Sequence, residues 1–203
     1  MTTTTEQQTR TLPDARAEAI RPAKLAHVVL RVSDLPRSRA WYMSVLQAWP
    51  AFENDMLSFM TYDDEHHRIG LVARPSLGQA DDEKAGLEHI AFTYTTLAQL
   101  LATFRRLKDA QILPYWTINH GPTVSLYYKD PDGNRIELQY DVFDREEDLQ
   151  AFFDGGAYVE NFMGIRFDPE ALIARYESGE SLASLTARPL LPPGKTPWDM
   201  LVT

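Results

Sequence analysis

The sequence predicts an α+β fold of two tandem βαβββ modules, followed by a C-terminal extension of short helices and extended chain. The first observation is an internal repeat. Lys24-Leu25-Ala26-His27-Val28-Val29-Leu30 reads like Gly86-Leu87-Glu88-His89-Ile90-Ala91-Phe92, and Ser58 through Leu71 aligns without a gap against Ser125 through Leu138. The second is that both halves run strand, helix, then further strands. The third is a change of pattern beyond Asp141, where strand signals give way to helix caps and prolines.

Each element has a local cause. Residues 1 to 22 read as a flexible arm that becomes extended near Pro22. The first module covers 23–76. Leu25 to Val32 is apolar and β-branched, as a buried strand requires. Ser33-Asp34 offers a helix cap with Pro36 in the first turn, where a missing N–H costs nothing. Ala40, Trp41, Val45 and Leu46 form one stripe of the helix that follows, and Pro50 is expected to end it. Met56 to Tyr62 and Arg68 to Arg74 make a hairpin around Asp63-Asp64-Glu65. Residues 77–85 are polar and turn-rich, a linker. The second module, 86–141, holds a strand at Glu88 to Thr95, a helix at Leu97 to Lys108 and a short strand at Tyr115 to Ile118. Its hairpin, Val124 to Lys129 with Arg135 to Asp141, closes through Asp130-Pro131-Asp132-Gly133-Asn134. In the extension, 142–203, a helix is expected over Asp144 to Phe153, stopped by Gly155-Gly156. Another starts at Asp168-Pro169-Glu170 and stops at Gly179. The tail from Arg188 carries four prolines and should be extended, with Leu190, Leu191, Trp198 and Leu201 packing on a surface, so that the extension either caps the pocket or builds an interface with a second subunit.

Composition narrows the function. The chain has 203 residues, 44% of them hydrophobic, and a net charge of −9 from 20 basic and 29 acidic side chains. That balance argues against nucleic acid and against an anionic membrane surface as partners. No apolar run approaches the roughly 18 residues of a membrane span, and the Thr- and Gln-rich start has no secretion-signal pattern. With no cysteine, disulfides and thiolate ligands are excluded, and a metal must take His, carboxylate or water. A cytoplasmic protein fits these features.

The repeat also locates the chemistry. His27 and His89 occupy matching places, and its register sets Gly70 against Glu137. Two imidazoles and one carboxylate around an open face suit non-heme Fe(II) oxygen chemistry. Each residue has a plainer reading: a lone His on an apolar strand is commonly a core residue. Matching positions for both, and a Glu between Ile136 and Leu138 whose burial a cation would compensate, favour a metal site. If the Asp130–Asn134 turn centres on Asp132, Tyr127 falls opposite Glu137 on the same face, with Cβ atoms about 5 Å apart. His66 and His67, at a hairpin tip, are read as solvated. Trp41, Trp49, Phe104 and Leu107 are read as core residues on the two helices. Val29 shares a face with His27 and is a candidate substrate contact, while Tyr115 and Trp116 are aromatic wall candidates.

Paired βαβββ modules with ligands on equivalent strands resemble the vicinal oxygen chelate superfamily, which includes glyoxalases, fosfomycin-resistance enzymes and extradiol ring-cleaving dioxygenases. The resemblance covers about Leu25 to Asp141. Its most specific segment is Asn119-His120-Gly121 with Ser125-Leu126-Tyr127-Tyr128-Lys129-Asp130-Pro131-Asp132-Gly133-Asn134-Arg135-Ile136-Glu137, which looks like the second-module hairpin of single-domain extradiol dioxygenases. The resemblance implies an open half-barrel around the metal, with His27, His89 and Glu137 as iron ligands. It also implies His120 as the acid–base residue and Tyr127 as a hydrogen-bond donor in the pocket. In two-domain members the histidine lies slightly further ahead of the tyrosine. The implied cofactor is Fe(II), with Mn(II) compatible with the same ligands, and the implied reactants are a catechol-type substrate and O2. The glyoxalase I type carries a carboxylate in the Gly70 slot. An oxygen-independent lyase, isomerase or transferase and a drug-sequestering binding protein are the alternatives. A homodimer or higher homo-oligomer is expected.

Overall fold

The computed structural model describes residues 19–81 and 84–202. The arm expected over 1–22 falls mostly outside these residues, as do 82 and 83 of the linker. The first half runs β1 (Val28–Val32), α1 (Leu35–Leu46), β2 (Trp49–Glu53), β3 (Leu57–Thr61) and β4 (Ile69–Ala73). The second repeats it as β5 (Ile90–Tyr94), α2 (Leu97–Asp109), β6 (Trp116–Asn119), β7 (Thr123–Lys129) and β8 (Arg135–Asp141). The extension adds α3 (Glu146–Asp154), α4 (Ala157–Glu160), β9 (Ile165–Arg166), α5 (Pro169–Glu177) and α6 (Leu182–Thr186). The expected α+β fold of paired βαβββ modules is therefore present.

The strands form two sheets, ordered β1-β4-β3-β2 and β5-β8-β7-β6-β9. In each, the first strand of the module runs parallel to the last, Val28 to Val32 beside Ile69 to Ala73 and Ile90 to Tyr94 beside Ile136 to Tyr140. The remaining pairs are antiparallel. Strand alternation divides each sheet into two faces. Leu30, Val32, Ile69, Leu71, Leu126, Tyr128, Ile136 and Leu138 point to one shared core with α1 and α2. Val29, Gly70, Ala91, Tyr127 and Glu137 occupy the alternate positions, on the face without helices.

Several elements differ from expectation for identifiable reasons. α1 is capped by Asp34, whose side chain accepts from Arg37 N at 3.0 Å. It stops at Gln47 in a left-handed conformation, φ 52°, ahead of Pro50. Pro50 instead lies in β2, an edge strand where its missing N–H is tolerated. Trp49 is therefore a half-exposed strand residue, not a helical core residue. The buried stripe of α1 is Leu35, Ser38, Tyr42 and Val45, and Ala40 is exposed. α2 matches its expected span and carries a capping box between Thr96 and Gln99.

The halves are fastened through the second module's hairpin turn. The buried Asp132 accepts from Ser33 N at 3.1 Å and from the hydroxyls of Ser33 and Ser38 at the start of α1. Asp130 accepts from the Tyr42 hydroxyl at 3.0 Å. A carboxylate near a helix N-terminus is electrostatically well placed. The extension packs on its own chain: Leu172, Ile173 and Leu185 join the shared core, and β9 pairs with β6. The tail is not wholly extended, since Pro197–Met200 form a 3-10 turn. Met200 is buried with Ile118 and Tyr127, and its carbonyl accepts from Trp116 Nε1 at 2.8 Å. Leu190 and Trp198 stay exposed.

Candidate metal centre and active site

Glu137 is the most deeply buried of the candidate site residues. It lies on β8, inside its sheet, and is 4% exposed. Ala91 faces it from β5 and Tyr127 faces it from β7, which is the register the turn at Asp130–Asn134 implies. His89 stands one residue ahead of β5, and its Nε2 lies 3.0 Å from Glu137 Oε2. The small Ala91 side chain leaves that approach open. Burial pushes the Glu137 pKa up, but hydrogen bonds from His89, Ser125 and Tyr127 outweigh burial and hold it below the ordinary carboxylate value. The Glu137 bond raises the His89 pKa, against its partial burial. Burial, reinforced by the Glu137 charge, raises the Tyr127 pKa, so the phenol keeps its proton.

Next to this pair stands His120, in the bend between β6 and β7. Its Nδ1 is 2.5 Å from the Met163 carbonyl and its Nε2 is 3.1 Å from the Tyr127 hydroxyl. A carbonyl only accepts, so Nδ1 carries the hydrogen, and the Nε2 lone pair of the neutral ring and the Glu137 carboxylate are alternative acceptors for the single Tyr127 hydroxyl hydrogen. Burial lowers the His120 pKa despite the opposing pull of Glu137 and Met163. The line His120–Tyr127–Glu137–His89 thus joins a neutral base, a phenol, a carboxylate and an imidazole. Trp116 lies against the Tyr127 ring at 4.7 Å and edge-on to His120 at 5.7 Å, and Tyr115 meets the Tyr127 ring at 6.3 Å.

His27 is placed differently. Its exposed ring stacks on His67 at 4.1 Å. Among the described residues, the one gathering of three metal-competent side chains within 4.8 Å is His27 with His66 and His67, so the structure does not bring His27, His89 and Glu137 together in that way. The reading of His67 as solvated is corrected. It is 8% exposed, stacked between His27 and Phe59, because the turn before β4 is irregular and does not send neighbours to opposite faces. His66 remains exposed. Val29 is half-exposed beside Gly70 on the face it shares with His27. A Cβ on Gly70 would meet Val29 Cγ2 at 3.1 Å and Phe59 at 3.4 Å, so that slot has little room for a ligand.

Residues beyond Asp141 that support His120 were not found from sequence. Arg188 donates to the carbonyls of His120 at 3.1 Å, Asn161 at 2.6 Å and Ala157 at 2.7 Å. Asn161 holds the loop carrying Met163 through Gly164 O at 2.8 Å, Gly164 N at 3.0 Å and Met163 N at 3.2 Å. Gly164 has φ +113°, and a Cβ there would sit 2.4 Å from Asn119 O, so glycine is required. An Asn and an Arg in a polar tail carry no local signal of such a role.

A divalent cation fits this donor set. A buried carboxylate and an imidazole already face each other, and imidazole with carboxylate suits Fe(II), Mn(II) or Zn(II). His27, the third ligand the repeat suggests, is exposed and stacked on His67 instead.

Fold and donor set together define a class. The sequence model of the Glyoxalase/Bleomycin resistance protein/Dioxygenase superfamily matches residues 24–138, and the chain belongs to that superfamily. Within it, the chain is 41% identical to Biphenyl-2,3-diol 1,2-dioxygenase 3 of Rhodococcus globerulus over 81% of its own length and 88% of the relative's. It is 40% identical to Biphenyl-2,3-diol 1,2-dioxygenase 2 of the same organism, over 80% and 86% of the two chains. Among solved structures, a glyoxylase/bleomycin resistance protein/dioxygenase domain from Frankia sp. EAN1pec shares the fold. It has a TM-score of 0.51 at 23% identity, over 60% of this chain and 99% of that one. The extradiol dioxygenase expectation agrees with the two rhodococcal relatives. Among the described residues, no helix is long and apolar enough to cross a membrane.

Proposed function

We infer that this chain is an extradiol ring-cleaving dioxygenase acting on a catechol-type substrate with O2, and we propose Fe(II) as its metal, held by His27, His89 and Glu137. The observation that carries the site assignment is the line from His120 through Tyr127 and Glu137 to His89. When bound, Fe(II) would supply Lewis acidity toward the diol and the redox chemistry that O2 requires.

The protein's own groups then divide the work. Neutral His120 accepts a proton from a substrate hydroxyl at Nε2 and returns it as the ring opens, and its burial keeps that nitrogen unprotonated beforehand. Met163 O keeps the ring in the Nδ1–H tautomer. The protonated Tyr127 donates a hydrogen bond to a substrate oxygen. Val29 and Trp116 contribute apolar walls, which suits an aromatic ring between polar anchors. Biphenyl-2,3-diol, in the names of both relatives, is the first substrate to offer. The oxygen-independent reading is disfavoured because the slot a glyoxalase I-type carboxylate would fill is Gly70, crowded by Val29 and Phe59. A cytoplasmic location and homo-oligomeric assembly complete the proposal.

The test is oxygen uptake by protein loaded anaerobically with Fe(II) and given catechol and biphenyl-2,3-diol, with a visible-absorbance trace. Uptake with a new yellow product, lost in Glu137→Ala, is expected. Metal binding without uptake on either diol would put the oxygen-independent enzymes ahead of the dioxygenase reading.

A further inference from the structure

The first half gathers three imidazoles, and the proposed reaction uses only one of them. His27 stands just ahead of β1, and His66 and His67 lie in the turn between β3 and β4. One nitrogen of each falls within 4.8 Å of the other two. Phe59 and His27 sandwich the His67 ring, at 4.3 Å with 13° between planes and 4.1 Å with 28°, so its orientation is fixed by packing. His66 Nδ1 lies 2.6 Å from His67 Nδ1. Two imidazole nitrogens approach that closely only with a proton between them, and a divalent cation, which holds its nitrogen ligands slightly further apart, could take that proton's place.

On the far side of its ring, His66 Nε2 faces Glu65 Oε1 at 3.5 Å. The Glu65 carboxylate is buried, paired with Lys24 and 3.8 Å from Arg68. A carboxylate behind the second ring nitrogen is the arrangement that orients imidazole ligands around metals. The repeat makes the feature specific to this half. In the register of Ser58–Leu71 against Ser125–Leu138, His66 and His67 stand where the second turn has Gly133 and Asn134, neither of them a comparable donor.

We propose that His27, His66 and His67 form a second divalent-metal site, separate from the His89–Glu137 pair and suited to Zn(II), Co(II) or Ni(II), and that the two sites compete for His27. Three imidazoles without an oxygen-rich shell select these ions over Mg(II) or Ca(II). A metal held there withdraws His27 from the catalytic set. The competition rests on the catalytic role proposed for His27, whereas the site itself does not.

The experiment is a Co(II) titration of the metal-free full-length chain, followed by equilibrium dialysis and by the visible absorption of bound Co(II). It requires no catalytic activity, so a failure of the dioxygenase reading leaves it interpretable. Glu137→Ala, which removes the catalytic carboxylate, is expected to keep one Co(II) per chain. Adding His66→Ala to that variant should weaken binding by more than about tenfold, the scale that even outer-shell partners reach. His66 is exposed and its loss should leave the fold intact; His67→Asn, checked by near-ultraviolet circular dichroism, is the second probe. Glu137→Ala protein that binds no Co(II), or binding unchanged by both His66→Ala and His67→Asn, would overturn the site. Two tightly bound Co(II) per wild-type chain would overturn the competition, and one supports it.

Discussion

In the first half Val29 and Phe59 flank Gly70 across β1, β4 and β3; in the second Ala91 and Tyr127 flank Glu137 in the same three places. The backbone ladder is shared, and the side chains differ in kind. The first half fills its open face with Val29, Phe59 and His67, and the second fills it with a carboxylate, a phenol and an imidazole. A duplicated scaffold supplies two equivalent cradles, and only the one with a small residue opposite the ligand and a hydroxyl beside it can hold a charged acceptor in a buried place. The comparison also shows why Glu137 tolerates burial: its hydrogen-bond donors are Ser125 and Tyr127 on β7 and His89 just ahead of β5.

The asymmetry can be broken most severely at Glu137. Glu137→Ala should abolish oxygen uptake and weaken catalytic-metal binding by more than the roughly 100-fold that outer-shell losses cause, read by iron content and turnover. Next is His120→Ala, expected to lower turnover by about 10²- to 10⁴-fold while metal content holds, the range for losing a general acid–base group. Third is Arg188→Ala, which leaves the carbonyls of His120, Asn161 and Ala157 without their donor. At about 1–3 kcal/mol for a buried group left unpaired, thermal unfolding should show a clear loss, and kcat should fall more than KM changes.

A finer probe is titration of the metal-free protein by imidazole NMR. His89 should titrate above the ordinary value of about 6.5 and His120 below it. The His89–Glu137 contribution to stability is therefore complete below the unfolded histidine value and fades as pH rises through the raised folded value. The burial of neutral His120 has the opposite sign and costs stability as pH falls below the ordinary value. Glu137→Gln should bring His89 back down without moving His120 the same way. The smallest effect is expected at Gly70→Ala. A methyl group in a strand gains up to about 1 kcal/mol over glycine, and the half-exposed Val29 can yield to it. A stability change within about 1 kcal/mol, and unchanged metal content, would show that this half contributes no ligand from β4.

Much of this was legible because it is local or repeats. The β8 register, the Tyr127–Glu137 pairing and the span of α2 follow from one turn, strand alternation and a repeated order of elements. What escaped depends on distant contacts. The end of α1 at Gln47 is set by a left-handed residue with no glycine to announce it. The burial of His67 comes from Phe59, eight positions away, and from His27, forty away. Met163 and Arg188 reach His120 from an extension that carries no share of the repeat.

The clasp at Asp130 and Asp132 bears on whether this molecule can be divided. The repeat invites separation near the linker into two small proteins, each with its own sheet and helix. Such a cut would strip Ser33, Ser38 and Tyr42 from two buried carboxylates, leaving them to seek water or protons in the turn of the hairpin that carries Tyr127 and Glu137. The duplication is therefore visible in the sequence but no longer modular: the second copy keeps its shape by leaning on the first.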